Sequence, residues 1–339
     1  MNFKSMSNER IAILADPKGK AWKFAKEVHE NLIHRKKRQR IYNLEEIEVK
    51  KFNDGDIFGK PIESVRGEEV YLIHDSSMPS QDWFASLLFL NDAIGGSASA
   101  SKLINVLPYM RYSRQDRVSE PRSPISASVL AKGIKEFADG VITTDLHNPA
   151  LTGLYREKHF SFENLRAYII LTSHLIKDCP EILQNSRLLA PDAGATQITN
   201  SYNKRLNIGM VGAYKLRENP GEVDKNQMEI QGNVKGKNII ITDDMIDTAG
   251  TLCTCAELCM DRGAKAVYAV ATHGIFSYNI KKKKHARQLI EESPLEKVIV
   301  TDSIPQKSKG KVEVVSLTNL IADSIYRVSH NLSISELYK

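Results

Sequence analysis

Cysteine is scarce, with four in 339 residues, three of them at positions 253, 255 and 259. Cys255 and Cys259 share a helix face at i, i+4, but no His partners stand at zinc-site spacing. The thiols are therefore read as reduced, partly buried and without chemistry. Long apolar runs are also missing: none approaches the ~20 residues that a membrane-spanning helix needs. The opening MNFKSMSNERIAIL lacks the apolar core of a secretory signal, so a cytoplasmic protein is expected, without a membrane partner. A strong charge of one sign is absent too, the net balance being +6. That suits a protein handling phosphates without demanding nucleic acid, and no nucleic-acid partner is expected. The two basic runs, RKKRQR (35–40) and KKKKH (281–285), are read as solvated helix ends. What remains is 42% hydrophobic and 26% charged, an ordinary globular chain long enough for two domains.

Strand-like and helix-like segments alternate along the whole chain. RIAILA (10–15), EEVYLI (68–73), KLINVLP (102–108) and GVITTDL (140–146) read as strands. AWKFAKEVHENL (21–32), WFASLLFLNDAI (83–94) and ISASVLAKGIKEF (125–137) read as helices between them. A second series follows: a helix around 165–176, RLLAP (187–191), a helix around 196–204, NIGMV (207–211), then AVYAVAT, KVIVTD, KVEVVS and a last helix around 317–328. Such alternation predicts mostly parallel sheets covered by helices on both faces. Two series predict two similar α/β domains, although the sequences themselves do not repeat. The expected division is 1–160, 161–310 and a C-terminal strand and helix, 311–339, packing back on the N-terminal domain.

One stretch carries most of the chemistry: NIIITDDMIDTAGT, residues 238–251. Ile239 to Ile241 predict a buried strand ending in Asp243 and Asp244. Then come Asp247, Thr248, Ala249, Gly250 and Thr251, followed by a helix. A small-residue loop running into a helix N-terminus presents amide donors and a favourable dipole to an anion. The acids would repel a bare phosphate and suit sugar hydroxyls or a divalent cation beside it. The loop is thus read as built for a phosphorylated sugar. It resembles the signature that binds ribose 5-phosphate or phosphoribosyl pyrophosphate (PRPP) in phosphoribosyltransferase-like folds.

Further segments fall just beyond strand C-termini, where open α/β sheets place ligands. Arg111, Arg114, Arg117 and Arg122 crowd around Gln115 and Asp116, a pattern for oligophosphates or, equally, for a salt-bridged surface. His147 follows GVITTDL, and Asp192 lies in LLAPDAGA, each a candidate phosphate or metal contact. Lys215 and Arg217 precede ENPGEVDKNQ (218–227), a segment read as mobile and able to close over a phosphate chain.

Taken in order, FNDGD (52–56), ESVRGEEVYLI (63–73), RYSRQDR (111–117), SPISA (123–127), TTDLH (143–147), APDAGA (190–195), KLR (215–217), DDMIDTAGT (243–251) and THGIFS (272–277) closely resemble ribose-phosphate pyrophosphokinases, the PRPP synthetases. The resemblance implies two phosphoribosyltransferase-like domains. It also implies transfer of the β,γ-diphosphoryl group of ATP, with Mg²⁺, to the 1-hydroxyl of ribose 5-phosphate. Phe52, Asp54, Asp56, Arg114 and Gln115 would then contact ATP, the first three reaching a neighbouring subunit's site. His147 and Asp192 would hold the metal. Asp243 and Asp244 would take the ribose hydroxyls, and Asp247 to Thr251 the 5-phosphate. Lys215, Arg217 and His147 would be catalytic. A homo-oligomer built from dimers, often a hexamer, is implied as well. Ser64, Arg66 and SISELY (333–338) resemble regulatory segments. Departures fall at Asp56, Ser119, Glu120, Asn148, Pro149, Ala195, Gln197 and the KKKKH run. Two other readings compete: a non-catalytic regulatory homologue, and a phosphoribosyltransferase that consumes PRPP.

Overall fold

The computed structural model of the chain describes residues 10–35, 40–215 and 228–338. It divides into two units, Met1–Leu165 with Leu317–Lys339, and Arg166–Ser316. The first unit holds strands β1 (Arg10–Ala15), β2 (Ile41–Lys51), β3 (Ile57–Pro61), β4 (Glu69–Ile73), β5 (Lys102–Leu107), β6 (Gly140–Thr144) and β7 (Ser161–Leu165). They form one sheet in the order β3-β2-β1-β4-β5-β6-β7. Every pairing is parallel except the edge hairpin β2–β3.

The second unit repeats this plan with β8 (Ser186–Ala190), β9 (Met210–Lys215), β10 (Met228–Gln231), β11 (Asn238–Ile246) and β12 (Ala266–Gly274). A small hairpin, β13 (Tyr278–Asn279) with β14 (Lys284–His285), precedes β15 (Leu295–Thr301) and β16 (Val312–Val315). The order is β10-β9-β8-β11-β12-β15-β16, again with one antiparallel edge pair, β9–β10. The expected pair of similar, mostly parallel α/β sheets is what the chain forms.

Helices cover the sheets. In the first unit they are α1 (Trp22–Ile33), α2 (Ser80–Asp92) and α3 (Ser126–Phe137). In the second they are α4 (Tyr168–Asp178), α5 (Thr196–Leu206), α6 (Gly250–Asp261) and α7 (Ala286–Glu292). The last, α8 (Thr318–Ser329), belongs to the first unit. Helix α1 forms because Phe24, Ala25, Val28 and Leu32 recur at helical spacing and are all buried. Each such large apolar side chain contributes roughly 1.5–3 kcal/mol when fully buried. Helix α8 docks beside it: Asn31 donates to Thr318 Oγ1, the Tyr42 and Ser329 hydroxyls lie 3.1 Å apart, and Arg35 pairs with Asp323. Arg35 also stacks over the Tyr326 ring at 5.1 Å, and Arg40 pairs with Glu69. The ends of the first basic run are thus clamps within the unit, and residues 36–39 lie outside the described ones.

Several expectations need correction. Strands β2, β3, β7 and β10 were not foreseen, because their charged, polar or Pro-containing sequences lack a continuous apolar run. The helix expected from about 165 begins at Tyr168, since Ser161–Leu165 pairs with β6 instead. The KKKKH run forms the turn and second strand of the β13–β14 hairpin. The expected divisions near 160 and 310 fall just before β7, which the first unit claims, and β16, which the second unit claims.

Strand β2 also carries a misplaced charge. Burial pushes the Glu45 carboxyl up to about 7, with Glu68 and Glu63 adding like charge. The folded state therefore holds a proton that the unfolded chain has released, and stability declines as pH rises from about 4.5 through 7. Glu45→Gln removes this slope and stabilises the protein above pH 7. The gain is about 1–2 kcal/mol once partial solvent screening is allowed for. Thermal unfolding of both proteins at pH 5 and pH 8 reads the effect, and an equal pH dependence in the two would refute it.

Candidate functional site

In the second unit the strand order reverses between β8 and β11, so the loops leaving their C-termini diverge and open a crevice. The signature stretch occupies this position. Its strand is longer than expected: β11 runs through the acids to Ile246, because β12 continues the ladder as far as Gly274. Asp243 and Asp244 thus lie within a strand rather than after it. The Asp243 carboxylate accepts the Asp244 amide at 2.9 Å. Desolvation first, then the like charges of Asp244 and Asp192, drives the Asp243 carboxyl well above the ordinary carboxylate range. Three acids therefore converge on the crevice from two adjacent strands.

Beyond β11, Ala249 takes φ 58°, a left-handed conformation that turns the chain sharply into α6. Helix α6 starts at Gly250, so its first-turn amides have no partner within the helix. Thr248 precedes this first turn and Thr251 lies in it, the stretch read from the sequence as an anion cradle. Asp247 is tied in by its carbonyl, which accepts the Ser277 amide at 3.0 Å. On β8's side, Asp192 Oδ1 accepts the Ala195 amide at 3.1 Å, shaping the turn into α5. Below the acids, Thr242 Oγ1 donates to Thr199 Oγ1 at 2.8 Å and locks β11 to α5.

Lys215 ends β9, the strand beside β8, and pairs in backbone register with Met228 of β10. Strands β9, β8 and β11 therefore deliver Lys215, Asp192 and the two acids at neighbouring C-terminal ends. Arg217 and the expected mobile segment 218–227 lie outside the described residues.

The remaining candidates are in the first unit. Arg114 and Gln115 follow β5, and His147 follows β6, which is its neighbour in the sheet. Gln115 is anchored at the start of α3, where its side chain accepts the Ser126 hydroxyl and its carbonyl the Ala127 amide. Asn148 links the two loops: it donates to Asp116 at 2.7 Å and accepts the Ala150 amide at 3.0 Å. The Asn-Pro departure thus has a structural use. Arg111, by contrast, spends its guanidinium on Ser80 Oγ and the carbonyls of Ser76 and Met78. It braces the loop before α2 rather than facing a ligand.

Phe52, Asp54 and Asp56 form the tip of the β2–β3 hairpin, closed by the Phe52 amide on the Asp56 carbonyl at 2.8 Å. Phe52 is 53% exposed. In the sheet β2 lies three strand spacings from β5, roughly 14 Å. Within one chain the hairpin is not brought to Arg114 and His147.

Sequence reasoning missed Asn279, on the small hairpin. Its side chain donates to the Thr248 carbonyl at 3.3 Å and accepts the Lys282 amide at 3.0 Å. Nothing local signals this contact, which spans 31 positions. Asn279→Ala should loosen the anion loop and raise KM for its phosphorylated ligand about 3–10-fold, the worth of one hydrogen bond, while sparing kcat. An unchanged KM in steady-state kinetics would remove Asn279 from the site.

Comparison with known proteins follows the same lines. A family model for the N-terminal domain of ribose phosphate pyrophosphokinase matches residues 19–137, and one for a phosphoribosyl synthetase-associated domain matches residues 212–339. Ribose-phosphate pyrophosphokinase of Aquifex aeolicus is 39% identical over 290 residues, covering 85% of this chain and 89% of that protein. The same enzyme of Agrobacterium fabrum is 36% identical over 295 residues, covering 86% and 91%. The crystal structure of phosphoribosylpyrophosphate synthetase from Mycobacterium smegmatis has a TM-score of 0.81 at 27% identity. It matches 95% of this chain and 99% of that one.

Proposed function

The chain belongs to the ribose-phosphate pyrophosphokinase family, and on that premise we propose how its own residues divide the work. It is an enzyme of PRPP synthesis, taking ATP and ribose 5-phosphate to PRPP and AMP. The phosphoribosyltransferase and regulatory-homologue alternatives are not favoured, since the relatives matched over nearly their full length are pyrophosphokinases.

Asp247 to Thr251 cradle the 5-phosphate on the α6 amides, and Asp243 and Asp244 accept the ribose hydroxyls. Arg114 and Gln115 engage ATP. The crevice chemistry fits Mg²⁺: Asp192, Asp243 and Asp244 offer only hard oxygen donors, and the Asp243 carboxyl, raised by burial first and by the like charges of Asp244 and Asp192 after it, would be relieved by a cation. His147 in the first unit and Asp192 in the second are each proposed as a metal contact, and a bound ion would neutralise phosphate charge and polarise the transferring group. Lys215 and Arg217 stabilise negative charge as it moves toward the departing AMP. The attacking 1-hydroxyl is hemiacetal, and more acidic than a simple alcohol, so alignment and charge neutralisation replace a strong general base.

The observation that carries this reading is the placing of the Asp243–Asp244 pair, with Asp192 on the neighbouring strand's loop, beside a helix N-terminus at one strand-order reversal. AMP formation by the purified protein with ATP, Mg²⁺ and ribose 5-phosphate, with and without added phosphate, tests it. AMP appearing in step with PRPP is expected. Its absence under both conditions, with ribose 5-phosphate still binding, would point instead to a regulatory homologue.

The exposed Phe52 hairpin, remote in its own sheet from Arg114, supports a role at the ATP site of a neighbouring copy in a homo-oligomer. Mixing inactive Phe52→Ala and Lys215→Ala chains should then restore partial activity, because some sites receive both intact residues. No recovery after mixing would confine the hairpin to its own chain. Among the described residues no helix is long and apolar enough to cross a membrane, in keeping with the cytoplasmic enzyme proposed.

A further inference from the structure

At the opposite edge of the second unit's sheet, side chains from three elements meet with no part in the sugar-phosphate crevice. His174 lies on α4, Cys179 caps that helix, and Glu313 lies on the edge strand β16. Strand β16 is three strand spacings from β11, roughly 14 Å. His174 Nε2 is 2.8 Å from Glu313 Oε1 and 3.8 Å from Cys179 Sγ, and the three donor groups lie within 4.8 Å of one another. Lys297 of β15 reaches the same spot, 2.9 Å from Glu313 Oε2 and 3.7 Å from Cys179 Sγ.

We propose that His174, Cys179 and Glu313 form a binding site for a divalent transition-metal ion, best matched by zinc. One imidazole, one thiol and one carboxylate make a borderline-soft set that zinc accepts and Mg²⁺ does not favour. Zinc bonds of about 2.0–2.3 Å at a tetrahedral centre place donor atoms roughly 3.4–3.6 Å apart. The His174–Cys179 separation of 3.8 Å would close by a few tenths of an ångström, the 2.8 Å His174–Glu313 hydrogen bond would open by about half an ångström, and Cys179 and Glu313, within 4.8 Å, would draw in to the same span. A second feature fits independently: Asp178 Oδ2 lies 2.9 Å from His174 Nδ1. A carboxylate on the far ring nitrogen is the device that orients ligating histidines and leaves the other nitrogen facing the ion.

The Lys297 ammonium is the cation now serving Glu313. A divalent ion would take over that role, with the fourth position open to water. Binding exchanges the thiol proton of Cys179 for the metal, so affinity falls in acid. The ion would tie the end of α4 to the edge strand, close to Ser316, where the chain leaves this unit.

Co²⁺ titration of the full-length protein, in the presence of excess Mg²⁺ to fill oxygen-lined sites, tests the proposal. The expected result is one Co²⁺ per chain, a thiolate-to-cobalt charge-transfer absorption, and its displacement by Zn²⁺. Cys179→Ser should abolish the absorption, and His174→Ala should weaken binding about tenfold or more. Lys297→Met, which removes the resident ammonium, should bind more tightly. Zn²⁺ should raise the melting temperature of the wild type but not of Glu313→Gln, a readout that stands if a cysteine variant folds poorly. No charge-transfer band overturns the site, as does a band surviving in Cys179→Ser, which would place the thiolate at Cys253, Cys255 or Cys259. Unaltered affinity in His174→Ala, or in Lys297→Met, or zinc stabilisation that persists in Glu313→Gln, also overturns it.

Discussion

Lys215→Ala lowers kcat by about 10³-fold while KM for ATP stays within a few-fold of the wild type. The proposed role follows from the place of Lys215 at the end of β9, one strand from β8 and its Asp192 loop and two from β11. On the proposed mechanism its ammonium would do little for ATP in the ground state, whose charge Mg²⁺ would already share. It would act instead on the charge that builds as the bond to AMP breaks, worth about 4 kcal/mol for a 10³-fold effect. Interactions confined to the transition state change kcat and kcat/KM together. Steady-state kinetics with ATP as the varied substrate decides it, and a variant with normal turnover would end the assignment.

Asp243→Asn should move activity and stability in opposite directions. Activity toward ribose 5-phosphate falls about 100-fold in kcat/KM, since the proposed oxygen partner of the ribose hydroxyls is exchanged for an amide whose nitrogen can only donate. Stability rises. The folded-state carboxyl titrates well above its ordinary range, so folding retains a proton that the unfolded chain gives up. Stability therefore declines as pH climbs from the usual carboxylate range near 4 through the raised value, and the asparagine protein lacks that decline. At pH 8 the variant should melt a few degrees higher, an advantage that vanishes near pH 4. Mg²⁺ should narrow the gap by stabilising the wild type more. A variant that melts lower at pH 8 would show that Asp243 is a structural acid, not a repelled one.

Much of this was legible because the decisive residues are contiguous. KLINVL, GVITT and NIII announce strands buried on both faces, and DDMIDTAGT sets the acids of β11, the loop and the start of α6 in one contiguous stretch. What escaped depended on neighbours in space. Strand β2 alternates charges along IYNLEEIEVKK, and only its pairing with β1 and β3 makes it a strand. Strand β3 carries Gly59 and Pro61, which an edge tolerates and a centre would not. The Arg cluster after β5 looked uniform, yet Arg111 turned inward to backbone carbonyls while Gln115 was fixed at the start of α3. Asn279 and the His174–Cys179–Glu313 group join positions far apart in the chain, so no local pattern could reveal them.

The two units share a strand order, yet they differ at the point where it reverses. In the first unit the place of the acid cluster is taken by Asp75, just after β4. Its carboxylate accepts the amides of Lys20 and Ala21 at 2.6 and 3.3 Å, at the very start of α1, and that of Ser77 at 2.8 Å. The Lys20 and Ala21 amides open α1, whose counterpart in the second unit is α5; the counterpart of α6 is α2, after β4. In the first unit an acid leaving the reversal is spent as a clasp on the segment entering α1, whereas in the second Asp243 and Asp244 stay within β11. One strand order thus serves as a fastening in one half and presents a row of acids in the other.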